Sequence, residues 1–357
     1  MIKKNFLFYI GHPAHFYNFS IIANRLINQK HNVLFAVRER GIVTNLVENS
    51  NYDYILIKNK KKGKSKLSLI WSILYREYII FKIALKFKPD VMAGTDIVIT
   101  HIGKILKIPS IILCDDDSAV VPMFASLGMR FASAIVCPNI CNISPYENKK
   151  IGYAGLQKST YLNPKYFKPN KDFIKDYIDL NKKYFIIRVV ELTAHHDVGI
   201  NGINDIILEK IINKLEPYGN IYISSERALP SKYKKYSLNI PVDMIHHAMS
   251  YSDLFISDSQ SMTVECCLLG VPSIRFSDFV GKISVLEELE SKYKLTYGIL
   301  PTDHNKLLDT ISIIVEDDLV KQKWIVKRDE MLKNMINVSD FIYNVLKKYS
   351  INKKNKR

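Results

Sequence analysis

Apolar positions along the chain follow two rhythms, short continuous runs of strand length and longer stretches with helical spacing. Residues 6–10 read as a first strand. Residues 18–29 read as a helix, with Phe19, Ile22, Ala23, Leu26 and Ile27 on one face. A strand at 32–37, a helix at 42–48 and a strand at 53–57 follow. Further strands at 90–93, 110–114 and 134–137 continue the series, with helical patterns between them. Near-continuous apolar strands alternating with helices predict a parallel sheet covered on both faces.

The rhythm then restarts. Residues 184–190 form a continuous apolar run, and strands are expected at 220–224, 243–245, 254–257 and 272–276. Asn163-Pro164, Lys168-Pro169 and a polar stretch at 170–181 separate the two series. The expected organisation is a first domain over 1–165, a linker over 166–182 and a second domain over 183–335. A terminal helix and basic tail over 336–357 would return towards the first domain. The fold class is α/β: two doubly wound, Rossmann-like domains facing each other across a cleft. Ligands in such sheets sit at the carboxyl ends of the strands. No repeat of 20–50 residues points to a solenoid.

Length and composition agree with two globular domains. The 357 residues are 47% hydrophobic and 24% charged, which excludes disorder, collagen and coiled coil. No apolar run reaches the roughly 18 residues of a membrane span. The apolar stretch near the N-terminus runs into Gly11-His12-Pro13 and reads as a strand rather than a signal peptide. Cys114, Cys137, Cys141, Cys266 and Cys267 are odd in number and lie in apolar patterns, so a reducing, cytoplasmic setting is expected.

The formal charge of +16 is concentrated. Residues 58–66 hold six lysines and no acid, and residues 347–357 hold six basic residues and no acid. Outside these two runs the charge is only +4. Each run is either a solvated segment or a contact for an anionic partner. The first precedes an aromatic and aliphatic helix over 67–87, a combination that docks peripheral proteins on the inner face of an anionic membrane. No zinc finger, helix-turn-helix or aromatic RNA-binding signature supports nucleic acid as a partner.

The most informative segment runs from Ile256 to Pro272. A strand ends at Ser257, Asp258, Ser259 and Gln260 form the turn, and a helix begins near Ser261. Free N–H groups there, with Met262 in the first turn and the hydroxyls of Ser259, Ser261 and Thr263, suit a pyrophosphate. Glu265, four residues after Ser261, could reach the hydroxyls of a ribose. The alternative is an ordinary capped helix. Upstream, Ser225, Glu226 and Arg227 end another strand, and His246 precedes the aspartate-bearing strand.

This order resembles the C-terminal half of GT-B nucleotide-sugar enzymes, in which a base-binding loop precedes the loop for pyrophosphate and ribose. The comparisons are the lipid-II-forming N-acetylglucosaminyltransferase and the non-hydrolysing UDP-N-acetylglucosamine 2-epimerases. The epimerase motif reads Asp-Ser-Gly-Gly, one variable residue, then Gln-Glu-Glu. Asp258, Ser259 and Glu265 keep parts of it, while Gln260-Ser261 replaces the glycine pair that allows close phosphate approach. The whole chain is similar to domain-of-unknown-function family 354, a GT-B-like group. The matching segments are Gly11-His12-Pro13-Ala14-His15-Phe16, Gly152-Tyr153, Ala194-His195-His196-Asp197-Val198-Gly199 and Phe279-Val280-Gly281-Lys282.

The resemblance implies site residues. Gly11 lies where GT-B transferases carry a glycine-rich turn, and His12 or His15 would take a proton from an acceptor hydroxyl. The alternative is that they cap or pack under the helix. The epimerases carry a catalytic histidine in the loop of His195 and His196, so one of these two would donate a proton or contact diphosphate. Asp96, Asp116 and Asp117 would supply acid/base groups, or else cap the helices that follow them. No metal or cofactor is implied, because helix N-termini and basic side chains neutralise the leaving diphosphate, and the nucleotide sugar is a substrate.

The expected function is a metal-independent, hexosyltransferase-type glycosyltransferase of cell-surface polysaccharide or glycolipid assembly. Its donor would be UDP-linked and its acceptor a glycan or lipid-linked sugar. The alternatives are a nucleotide-sugar 2-epimerase, or a non-catalytic protein that binds a nucleotide sugar or lipid phosphate.

Overall fold

The computed structural model describes residues 2–58, 66–190 and 201–351, the side chains of residues 66 and 67 excepted. The histidine-bearing loop over 191–200, most of the first lysine run and the end of the basic tail lie outside the described residues. Two compact units divide the chain. The first comprises Met1–Tyr161 with Met335–Arg357, and the second Leu162–Asn334.

The first unit begins β1 (Asn5–Ile10), α1 (Pro13–Asn28), β2 (Asn32–Arg38), α2 (Ile42–Glu48) and β3 (Tyr54–Ile57). It continues α3 (Lys66–Phe87), β4 (Val91–Gly94), α4 (Ile97–Leu106), β5 (Ser110–Leu113) and α5 (Pro122–Leu127). Next come β6 (Ala134–Pro138), β7 (Lys150–Tyr153) and α6 (Ser159–Leu162), which ends at the unit boundary. The strands form a parallel sheet in the order β3-β2-β1-β4-β5-β6-β7. Its strand order reverses between β1 and β4, so the loops after those strands flank the ligand-binding position of such a sheet.

Phe6 to Ile10 are fully buried, which explains why β1 is apolar without alternation. Phe8 stacks on Phe19 of α1 at 4.4 Å between ring centroids, fixing the helix on the sheet.

The second unit runs β8 (Tyr184–Val189), α7 (Asp205–Leu215), β9 (Asn220–Ser225), α8 (Ile245–Tyr251) and β10 (Leu254–Ser257). It continues α9 (Gln260–Leu269), β11 (Ser273–Phe276), α10 (Ser284–Ser291), β12 (Tyr297–Ile299), α11 (His304–Val315) and α12 (Val320–Lys333). Its parallel sheet has the order β12-β11-β10-β8-β9. Here the order reverses between β8 and β10, so α9 starts at the switch point.

The last helix, α13 (Val338–Ile351), belongs to the first unit. Asp340 lies 2.5 Å from the Arg25 guanidinium, which stacks 3.7 Å from the Tyr343 ring centroid. Residues 166–182, expected as a linker, fall within the second unit. Ile174 and Ile178 are buried there, and the Asn170 N–H donates to His247 Nδ1 at 3.0 Å.

Three local expectations change. Residues 243–245 are not a strand: a 3-10 turn at Val242–Met244 leads into α8. His246, Ala248 and Met249 are the buried positions, a helical rather than an alternating spacing. Strands β7 and β12 are additional. Both are short and lie at sheet edges, where one-sided pairing demands little apolar sequence.

Candidate functional site

In the second unit, β10 ends in a buried turn that sets the start of α9. Asp258 is buried, and its two carboxylate oxygens accept from Val190 N–H at 2.9 Å and Ile203 N–H at 3.1 Å. Burial pushes this carboxyl up to about 6, and those hydrogen bonds oppose the rise. A Cβ at Gly202 would lie 2.6 Å from Asp258 Oδ2, so the chain closes on the carboxylate only with glycine there. Asp258 therefore bonds the backbone at Val190 and at Ile203, which are brought together at the end of β10.

Ser259 is the N-cap of α9. Its Oγ accepts from Met262 N–H at 3.3 Å, and its carbonyl accepts from the Thr263 hydroxyl at 2.8 Å. Gln260 is held from three sides. Its Nε2 donates to Asp258 O and to Ser277 Oγ, while its Oε1 accepts from Arg275 at 3.2 Å. Arg275 is fully buried and also bonds Phe279 O and Glu287. Sequence reasoning missed this arginine, although a lone charge inside the apolar run of β11 was its signal. Gln260 thus stands where a glycine was expected, held rigidly by a buried cation.

Ser261 and Met262 are half-buried at the first turn, while Thr263 is buried. Glu265 is buried one turn further in, with Oε2 3.4 Å from Nε2 of buried His246 on α8. The fold thus brings His246 to the α9 segment. Ser225, Glu226 and Arg227 close the end of β9 in other company. Ser225 Oγ caps its own turn by accepting from Arg227 N–H. Exposed Glu226 pairs with Arg188, and Arg227 bonds Ile203 O and Asp205 at 3.0 Å each.

In the first unit, the β1 loop supplies Gly11, His12 and His15. His12 is the N-cap of α1, with Nδ1 accepting from Ala14 N–H at 3.2 Å. That bond leaves the proton of the neutral ring on Nε2, so His12 presents a donor rather than a base. His15 Nδ1 faces Gly11 N–H at 3.4 Å. Burial, then His12 and Lys158, push His15 down to about 3, so it is neutral at any ordinary pH. Its contribution to stability is complete above the usual histidine value and is lost as pH falls towards 3. His12→Ala should cost about 1 kcal/mol by removing the cap acceptor. His12→Asn, which keeps one, should recover most of it, as urea unfolding would show.

The β5 loop carries three consecutive carboxylates with different surroundings. Asp115 pairs with buried Lys158 at 2.5 Å. Asp117 Oδ1 accepts from Asn142 N–H at 2.6 Å. The half-buried Asp116 side chain has no hydrogen-bond or ion-pair partner among the described residues. Burial first, and the Asp115 charge next, push its carboxyl up to about 7, with Lys158 opposing them. Lys158 thus acts on both His15 and Asp116, joining the β1 and β5 loops into one charge cluster. Lys158, beyond the unforeseen edge strand β7, was not a sequence candidate.

Asp96 is used differently. It caps α4 by accepting from Val98 N–H at 3.1 Å and pairs with buried Arg76 of α3 at 2.6 Å. Arg76 also donates to Tyr9 Oη at 3.1 Å. Asp96→Ala strands a buried guanidinium, and a loss of about 3–5 kcal/mol is expected in denaturant unfolding. Asp96→Asn keeps the cap and should lose less. His195 and His196 lie outside the described residues. Among the described residues, no group of three or more His, Cys, Asp or Glu side chains is placed to hold a metal ion.

Solved structures resemble this architecture along nearly its whole length. The Staphylococcus aureus MnaA–UDP co-structure superposes with a TM-score of 0.69 at 13% identity, covering 97% of this chain and 96% of that one. The UDP-GlcNAc 2-epimerase of Methanocaldococcus jannaschii gives 0.57 at 16% identity, covering 88% and 93%. A glycosyltransferase from Rickettsia africae gives 0.58 at 13% identity, covering both chains fully. At such identities these likenesses show the fold, which is GT-B-like. No curated protein matches the sequence. The family described as "protein of unknown function (DUF354)" matches residues 8–347, and the chain belongs to that family.

Proposed function

We propose that the protein is a GT-B glycosyltransferase that takes a nucleotide sugar, UDP-linked, as donor. The observation that carries this reading is the start of α9. A capped helix N-terminus lies at the switch point of the second sheet, with a buried carboxylate, Glu265, one turn inside it. N–H groups and the Ser261 hydroxyl at such a terminus suit a diphosphate. The Glu265 carboxylate suits the two hydroxyls of a ribose. The S. aureus neighbour is a complex with UDP, which supports the choice of nucleotide.

The first unit supplies the proton-handling group. In transfer, the bond from the anomeric carbon to the diphosphate breaks and a bond to the acceptor oxygen forms. The acceptor's proton passes to a base. Asp116, near neutrality and without a partner, suits that task better than His15, which is too weakly basic, or His12, whose Nδ1 is engaged. The acceptor is a glycan or lipid-linked sugar of cell-surface assembly.

A second reading, nucleotide-sugar epimerisation, is favoured by the three consecutive carboxylates of the β5 loop, two of which feel Lys158, since removing and returning a proton requires paired acid/base groups. Incubation with UDP-sugars alone, followed by NMR, separates the two. Epimerised product without acceptor would assign the second reading. Stabilisation by a UDP-sugar with no change in it until acceptor is added supports transfer. Failure of every nucleotide sugar to raise the melting temperature would count against both readings.

A further inference from the structure

The helix α3 is apolar on both sides. Its inner side joins the core of the first unit through Ile80, Ile83 and Ala84. Its outer side exposes Trp71 (71%), Leu74 (48%), Tyr78 (56%) and Leu85 (52%), spaced three, four and seven residues apart. They form one stripe about 21 Å long at 1.5 Å per residue. A surface helix ordinarily turns a polar face outward, so this stripe asks for a covering partner.

The charges of this stretch of sequence say which. Residues 58–88 include ten basic residues and one acid, and among the described ones only Arg76 turns inward, onto Asp96. The one acid of the stretch, Glu77, lies 2.5 Å from His101 Nδ1. Lys82 continues the stripe, with its ammonium 5.1 Å from the Tyr78 ring centroid, and Lys86 is exposed one turn further on. A second copy of the same face would bring lysines against lysines. We propose that the outer face of α3 seats the protein on an anionic lipid surface, with Trp71, Leu74, Tyr78 and Leu85 entering the interface and the lysines meeting headgroups. The inference does not depend on the proposed reaction.

The protein has two tryptophans, which makes a direct test possible. Trp324 is buried with its indole N–H bonded to Leu295 O, so a change on adding vesicles reports Trp71. Vesicles of phosphatidylcholine mixed with phosphatidylglycerol should blue-shift the emission and co-sediment the protein, whereas phosphatidylcholine alone should do neither. Salt should weaken the association. The pair Trp71→Ala/Leu74→Ala should lower partitioning at least about tenfold. Lys82→Glu/Lys86→Glu should do so by a similar factor. All four positions are exposed, so the fold should survive, and circular dichroism checks this. Equal binding to both vesicle types, or none to either, overturns the proposal. So does a dimer in sedimentation velocity that the Trp71→Ala/Leu74→Ala pair dissociates while vesicles have no effect.

Discussion

Asp116→Asn should lower turnover by about 10²- to 10⁴-fold, the usual worth of a positioned acid or base, while leaving nucleotide-dependent thermal stabilisation intact. The wild-type rate should rise with pH through about 7, because only the ionised carboxylate accepts a proton and its folded pKa lies there. The Asn variant should lack that limb. Stability should move the opposite way. The folded pKa is raised above the ordinary 3.8, so this carboxyl favours the fold fully only below that value, and its contribution is lost as pH rises to about 7. Asp116→Asn should therefore be more stable than the wild type at pH 8 and equal to it at pH 3. Urea unfolding of both proteins at the two pH values checks this. A variant with full turnover would remove Asp116 from the reaction. A variant that is less stable at pH 8 would instead show that the carboxylate stabilises the loop.

Glu265→Ala should fold and lose most of its thermal stabilisation by UDP-sugars. A ligand at a hundredfold excess over its Kd stabilises by about 2.7 kcal/mol. Hydrogen bonds to a charged group are each worth about 1.5–3 kcal/mol, so losing those to a ribose should weaken binding at least about tenfold. Glu265 is buried beside His246, so Glu265→Gln, which preserves volume, serves as the folding control. Its unliganded melting temperature should stay near that of the wild type, and its response to nucleotide should be reduced. Undiminished stabilisation in the Ala variant would take the donor away from α9.

The legible parts of the site are the local ones. The Ser259 cap and the helix it opens follow from a strand end, small hydroxyl residues and helical apolar spacing within a dozen positions. The role of His12 as a cap was one of two open readings for the same reason. What distinguishes the acids was not legible. Asp115 is neutralised by Lys158, 43 residues away, and Asp117 is bonded by Asn142, 25 residues away. Asp96 is paired with Arg76, 20 residues away on a helix whose sequence signal is its apolar character. Asp258 reaches backbone at residues 55 and 68 positions earlier, an assignment no motif contains. Three residues cannot distinguish a period of 2 from one of 3.6, so 243–245 fits strand and helix spacing equally.

By itself, the sequence determined the alternation of strand and helix, its restart near residue 184, and the concentration of charge in two runs. Periodicity and turn chemistry are properties of neighbouring residues, so they are written locally. Only the tertiary structure decided which carboxylate of the β5 loop lacks a partner and is pushed up by burial, which histidine burial holds neutral, and that α3 is apolar towards solvent as well as towards the core. Those properties depend on burial and on partners distant in the chain, and both arise only when the sheets and helices pack.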